Sequence, residues 1–230
     1  MTTRTKQMKP PALTDAQRIV IWQAVSLLLA YPDQELLDRR PLLRRAAAES
    51  PTHVGALLDR FLDHVDATPL TELAAEYVAT FDQRKRCCLE LTYYSCGNTR
   101  KRGMALLQFK TIYAATGLML HDEELPDHLS VVLEFAATGD AREGAGLLIE
   151  HRAGLELLRL ALDESGSPWT PLVEAVMATL PPAGQRDHDT LARLIAEGPP
   201  EEQVGLPPFG GAAPAQSGPV LVTDRLEVRS

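Results

Sequence analysis

Residues 54–65 read Val54-Gly55-Ala56-Leu57-Leu58-Asp59-Arg60-Phe61-Leu62-Asp63-His64-Val65. Val54, Leu57, Leu58, Phe61, Leu62 and Val65 recur at i, i+3, i+4, i+7, i+8 and i+11. A turn of ~3.6 residues puts all six on one face, and Asp59, Arg60, Asp63 and His64 on the other. Leu70, Leu73, Ala74, Tyr77, Val78 and Phe81 repeat the stripe in a second helix. Strict alternation, the mark of a half-buried strand, is absent from both. This pair of stripes decides the fold class, which is all-α.

The pattern extends outward in both directions. Thr14-x-x-Gln17 is a capping box, and it opens a helix through Ile21, Val25 and Leu28 that closes at Tyr31-Pro32. Pro41 is expected to split residues 33–49 into two short helices. Residues 84–98 fit neither period. A helix is predicted from Thr99 to Thr116, with Gly117 as its stop. Leu129, Val132, Leu133 and Ala136 mark a short helix ending by Gly139. Asp140 should cap one long helix that carries Leu147, Leu148, Leu155, Leu158 and Leu162 to Gly166. Pro171–Leu180 and Asp189–Glu197 read as two final short helices. The expected architecture is a single multi-helix bundle over 13–197, with a disordered N-terminal arm (1–12) and a Pro/Gly-rich disordered tail (198–230). Val220–Val222 would need a partner edge to form a strand.

Composition narrows the function. Of 230 residues, 45% are hydrophobic and 5% aromatic, enough apolar surface for a sizeable core. A net charge of -8 argues against nucleic acid and suits a partner segment carrying positive charge. The three cysteines, Cys87, Cys88 and Cys96, have no scaffold spacing and are read as reduced thiols of a cytoplasmic protein. No run of ~18 apolar residues suggests membrane insertion. H-E-x-x-H, G-x-G-x-x-G, G-x-S-x-G, a Walker loop and C-x-x-C are all missing, so no catalytic residue, metal site or cofactor is expected.

Three groups of residues invite a binding role. Glu124-Leu125-Pro126-Asp127-His128 sits where loop should become helix. Pro126 pre-sets the backbone there, Asp127 can cap the following helix, and Glu124 and His128 add an acceptor and a switchable donor. The segment reads either as an exposed recognition site or as a cap with a solvated loop. Tyr77 and Phe81 share a helix face, as core or as contact surface, and Asp82 closes that helix at its unfavourable negative end. Arg84-Lys85-Arg86 and Arg100-Lys101-Arg102 flank the cysteines. Arg84, Arg86, Arg100, Lys101 and Arg102 are candidates for anion or client contact, against the plainer reading of a solvated charged face.

These segments also carry a family resemblance. Tyr77-Val78-Ala79-Thr80-Phe81-Asp82, Leu91-Thr92-Tyr93-Tyr94, Asn98 to Leu107, Glu124 to Leu129, Val131 to Ala136 and His151 to Leu158 are similar to respiratory nitrate reductase delta subunits. Those are molybdenum cofactor assembly chaperones of the NarJ type, within the wider redox enzyme maturation chaperones. The resemblance covers about residues 14–180. It implies an all-helical chaperone rather than an enzyme. Its partner would be the apo catalytic (alpha) subunit of nitrate reductase, including the N-terminal segment, a remnant of a twin-arginine export signal. The chaperone would hold that subunit until the molybdenum cofactor and an iron–sulfur centre are inserted, before membrane docking. Tyr77, Phe81, Asp82, Glu124, Pro126, Asp127 and His128 would be the partner-binding residues of a monomer. The rival reading is a helical scaffold or regulatory module for an unrelated partner. The cysteines have no place in the family pattern.

Overall fold

Residues 13–118 and 125–200 are described in a computed structural model, and they form eleven α-helices. In chain order these are α1 (Asp15–Leu28), α2 (Gln34–Glu49), α3 (Thr52–Ala67), α4 (Leu70–Tyr77), α5 (Leu91–Cys96), α6 (Arg100–Ala115), α7 (Leu129–Thr138), α8 (Ala141–Glu150), α9 (Arg152–Glu164), α10 (Thr170–Thr179) and α11 (Gln185–Glu197). Among the described residues the extended structure is a single antiparallel bridge, Glu90 to His128. The all-α expectation holds. The arm 1–12, the tail beyond Pro200 with Val220–Val222, and Glu124 lie outside the described residues.

The stripe of residues 54–65 does what its period requires. Val54, Leu58, Phe61, Leu62 and Val65 are buried in α3, each contributing about 1.5–3 kcal/mol of apolar burial. They face α2 and α10. α1 runs through the middle of the bundle against α7, α10 and α2. Two polar ties fix its register: Trp22 Nε1 donates to Thr179 Oγ1 (2.9 Å), and Ser26 Oγ donates to the Ser130 carbonyl (2.8 Å). The predicted capping box is formed, with Gln17 N–H donating to Thr14 Oγ1 and Thr14 N–H to Gln17 Oε1. On the outside of α2 and α3, Arg44 holds Asp59, Asp63 and Asp66 at 2.9, 2.6 and 2.7 Å. The Arg44 hydrogen bond draws the Asp66 carboxyl below its ordinary range, with a second bond from Arg40 adding to the effect.

Four local expectations are corrected. Pro41 lies inside an unbroken α2. Its ring leaves the Leu37 carbonyl, four residues back, without an N–H, and Arg40 Nε donates to that oxygen at 2.9 Å. The stripe of residues 70–81 leaves α geometry after Tyr77: Val78–Asp82 is a π turn, in which Gln83 N–H reaches the Val78 carbonyl five residues back. The single long helix after Asp140 is two helices, broken at His151, whose φ/ψ of -96/15 leaves the helical region. The break redirects α9 across α5, where Gly154 lies so close that a Cβ would touch Tyr94 at 3.0 Å. Asp140 does cap α8, accepting from Arg142 and Glu143 N–H. The last helix starts at Gln185 rather than Asp189, because Asp187 accepts the Gly184 N–H and nucleates an earlier turn.

Candidate functional site

The corner at 125–128 is built by a pairing that joins it to residues 89–92. Leu91 N–H donates to the Asp127 carbonyl (3.0 Å) and Leu129 N–H to the Leu89 carbonyl (2.9 Å). This antiparallel step brings Asp127 onto the first turn of α5. Its Oδ2 accepts from Thr92 N–H (3.1 Å) and Thr92 Oγ1 (2.5 Å). Asp127 therefore caps α5 across 35 residues of chain, not the α7 that follows it. The N-cap of α7 is His128, with no side-chain cap bond. Nor is the carboxylate exposed: Asp127 is 0% accessible and Pro126 is buried. Leu125, 42% exposed, faces solvent instead.

A buried carboxylate needs compensation. It comes from the α5 first turn and from Arg102, whose Nη2 lies 3.8 Å from Asp127 Oδ2 and whose Nε donates to Thr92 Oγ1 at 3.3 Å. Tyr113 of α6 donates its hydroxyl to the Pro126 carbonyl (2.6 Å). His128 Nδ1 meets Ser130 Oγ at 2.6 Å. Among the described residues, Asp127 Oδ1 is buried without a hydrogen-bond partner. The corner is thus a polar clamp joining α5, α6 and α7.

Tyr77 and Phe81 sit 4.8 Å apart at the π turn and enclose Trp169, with ring centroids at 5.9 and 5.5 Å. All three are buried, and Phe61 closes the group. The Tyr77 hydroxyl donates to the Leu29 carbonyl (3.1 Å), tying the π turn to the end of α1. Burial pushes the Tyr77 phenol well up, and the charges of Asp82 and Glu90 push the same way. Asp82 is exposed at the end of the turn.

The basic clusters part company. Arg84, Lys85 and Arg86 are exposed on and beside a 3-10 turn (Lys85–Cys87), with Arg86 3.4 Å from Glu164. Arg100 and Lys101 are exposed at the start of α6, whereas Arg102 is turned inward to Thr92 and Asp127. Arg86 and Glu164 stand on the rim of a groove of about 370 Å³ between α5, α9 and α11. Tyr93, Tyr94, Leu157, Leu160, Leu194, Ile195, Gly198 and Pro199 complete its lining. Opposite charges on the rim of an apolar trough suit an amphipathic segment.

The Cys87 and Cys88 thiols are buried. Burial raises both Cys87 and Cys88, and the Cys88 thiol also donates to the Glu90 carboxylate. Among the described residues no group of His, Cys, Asp and Glu could hold a metal ion. Nor is any described helix long and apolar enough to cross a membrane.

Nothing in the sequence marks Tyr113, Trp169 or the groove walls as site residues. Thr92 alone leaves a signal, as the residue between Leu91 and the Tyr93-Tyr94 pair whose short hydroxyl can bond locally.

The chain matches the family described as nitrate reductase delta subunit over residues 47–175. It is 40% identical over 165 residues to the "Nitrate reductase-like protein NarX" of Mycobacterium tuberculosis (strain ATCC 25618 / H37Rv), covering 70% of this chain and 24% of that protein. It is 30% identical over 176 residues to the "Nitrate reductase molybdenum cofactor assembly chaperone NarJ" of Escherichia coli (strain K12), covering 75% of this chain and 74% of that one. The "Probable nitrate reductase molybdenum cofactor assembly chaperone NarJ" of Bacillus subtilis (strain 168) is 28% identical over 176 residues, 76% of this chain and 96% of its own length. The chain spans about a quarter of the NarX proteins it matches.

Proposed function

The chain belongs to the nitrate reductase delta subunit family, and on that premise we propose that it is an assembly chaperone and not an enzyme. Its client is the apo catalytic (alpha) subunit of respiratory nitrate reductase, held through its N-terminal segment. The chaperone keeps that subunit open to molybdenum cofactor and iron–sulfur insertion before it docks at the membrane.

The observation that carries the reading is the apolar groove between α5, α9 and α11, rimmed by Arg86 and Glu164. An amphipathic client segment lays its apolar face on Leu157, Leu160 and Ile195, and its charges meet the rim. Asp82, Arg84, Arg100 and Lys101 extend the polar contacts on the surface. Tyr77, Phe81, Pro126 and Asp127 act from below, by holding the π turn and α5 in place. Ordering the client segment lowers its affinity, which suits a partner that must be released.

Isothermal titration of the full chain with a peptide from the catalytic subunit N-terminus tests this. Ile195 is 61% exposed, so Ile195→Asp should leave the melting temperature within about 2 °C of the parent. The same change should weaken the peptide about tenfold, as for an apolar anchor worth ~1–2 kcal/mol. Absence of binding, with an unrelated protein as the main co-purifying partner, would favour the scaffold reading instead.

A further inference from the structure

Helices α1 and α8 both pack on α7, and between them lies a cavity of about 540 Å³. Trp22 of α1 and Ala141, Ala145, Gly146 and Ile149 of α8 give it an apolar lining. Trp22 is a fixed wall, because its indole N–H is held by Thr179. The charged residues of the lining are Asp15, Arg18 and Arg142. Asp15 holds Arg18 at 2.7 Å. Arg142 is exposed and, among the described residues, has no ion pair. Two guanidinium groups against one carboxylate leave the lining with a net charge of +1.

Gly146 is the second observation. Glycine inside a helix costs stability relative to alanine. Gly144 in the same helix has a packing reason, since a Cβ there would lie 2.4 Å from Ala136 Cβ. Gly146 has none: a Cβ would meet nothing within 4 Å, and the residue is exposed. What its missing side chain does is leave the cavity open. Stability given up to keep a space clear is the trade expected at a binding site.

We propose that this cavity binds a small monoanionic amphiphile, its carboxylate on Arg142 and its apolar tail along Trp22, Ala145 and Ile149. The volume falls within the range of small-molecule sites, roughly 300–1,000 Å³. A guanidinium offers paired N–H donors that match a planar carboxylate. Arg18, already paired with Asp15, adds to the field. One negative charge balances the lining, whereas a dianion would stand uncompensated beside Asp15. The cavity shares no lining residue with the groove between α5, α9 and α11, so the site does not rest on the chaperone reading.

The test is titration of the isotope-labelled full chain with octanoate, read at the indole N–H resonances of its two tryptophans. Trp22 lines the cavity, and Trp169, enclosed by Phe61, Tyr77 and Phe81, is the control. Octanoate should shift Trp22 saturably below about 10 mM and leave Trp169 in place. Octylamine, with the same tail and the opposite charge, should bind roughly tenfold more weakly or worse. Arg142→Glu should weaken octanoate by roughly tenfold or more, and a glutamate in the first turn of α8 suits the helix dipole, so the fold is kept. Gly146→Leu should fill the cavity and abolish the shift while the melting temperature holds or rises, leucine being the better helix former. No saturation, equal affinity for octylamine, or binding unchanged by Arg142→Glu would each overturn the site. A Trp22 shift produced by the catalytic-subunit peptide and not by octanoate would overturn it in favour of a polypeptide occupant.

Discussion

Replacing Asp127 tests whether the corner is a clamp. Truncation to alanine removes the acceptor for Thr92 N–H and Thr92 Oγ1, and the counter-charge for Arg102. A hydrogen bond to a charged group contributes ~1.5–3 kcal/mol, and a donor left buried and unpaired costs a similar amount. Arg102 is 21% exposed and can rehydrate in part, so the upper figure for breaking a buried pair does not apply. The expected loss for Asp127→Ala is about 3 kcal/mol, roughly 6–12 °C in melting temperature for a chain of this size. Asp127→Asn differs in kind. Its amide oxygen still accepts from Thr92, but its NH2 takes the place of the buried Oδ1 and leaves a donor unpaired. Its cost should stay near ~2 kcal/mol, about 4–8 °C, below that of alanine. Urea and thermal denaturation followed by far-UV circular dichroism would measure both. Equal destabilisation by the two variants would show that charge, not capping, holds the corner. A loss under about 1 kcal/mol for alanine would refute the clamp itself.

Other expectations follow from single contacts. Pro41→Ala restores an N–H for the Leu37 carbonyl and should stabilise by about 1–2 kcal/mol, read as a higher urea midpoint; no gain would mean that the Arg40 bond already compensates fully. In α8, Gly144→Ala drives a Cβ to 2.4 Å from Ala136 Cβ and should destabilise by ~1–2 kcal/mol, while Gly146→Ala, with nothing within 4 Å, should stabilise by ~0.5–1 kcal/mol; equal effects would contradict the close α7–α8 approach. Burial against Phe109 holds the His151 imidazole below its ordinary value, despite the opposing charges of Glu150 and Asp127. The folded state then binds fewer protons than the unfolded one, so this stability is complete above about pH 6.5 and is lost as pH falls through the folded value; His151→Gln should flatten melting temperature between about pH 7 and 5.5.

The sequence by itself determined the helices whose signals are local. The α3 stripe, the Thr14–Gln17 box, the Asp140 cap and the Gly117 stop each involve residues within a turn or two of one another, so spacing alone decides them. Fold class followed from the same source. What spacing could not decide was which carbonyl would rescue or be rescued across space. Pro41 reads as a break until Arg40 turns back to Leu37, and the π turn at Val78 becomes visible only with Tyr77 and Phe81 packed on Trp169. Asp127 is the clearest case. Next to a helix start it reads as a cap for its own neighbour, and only the pairing of residues 89–91 with 127–129 hands it to α5. Tertiary structure alone made that choice, because a buried carboxylate goes where donors converge, and Thr92 and Arg102 converge from a part of the chain that no local pattern connects to it.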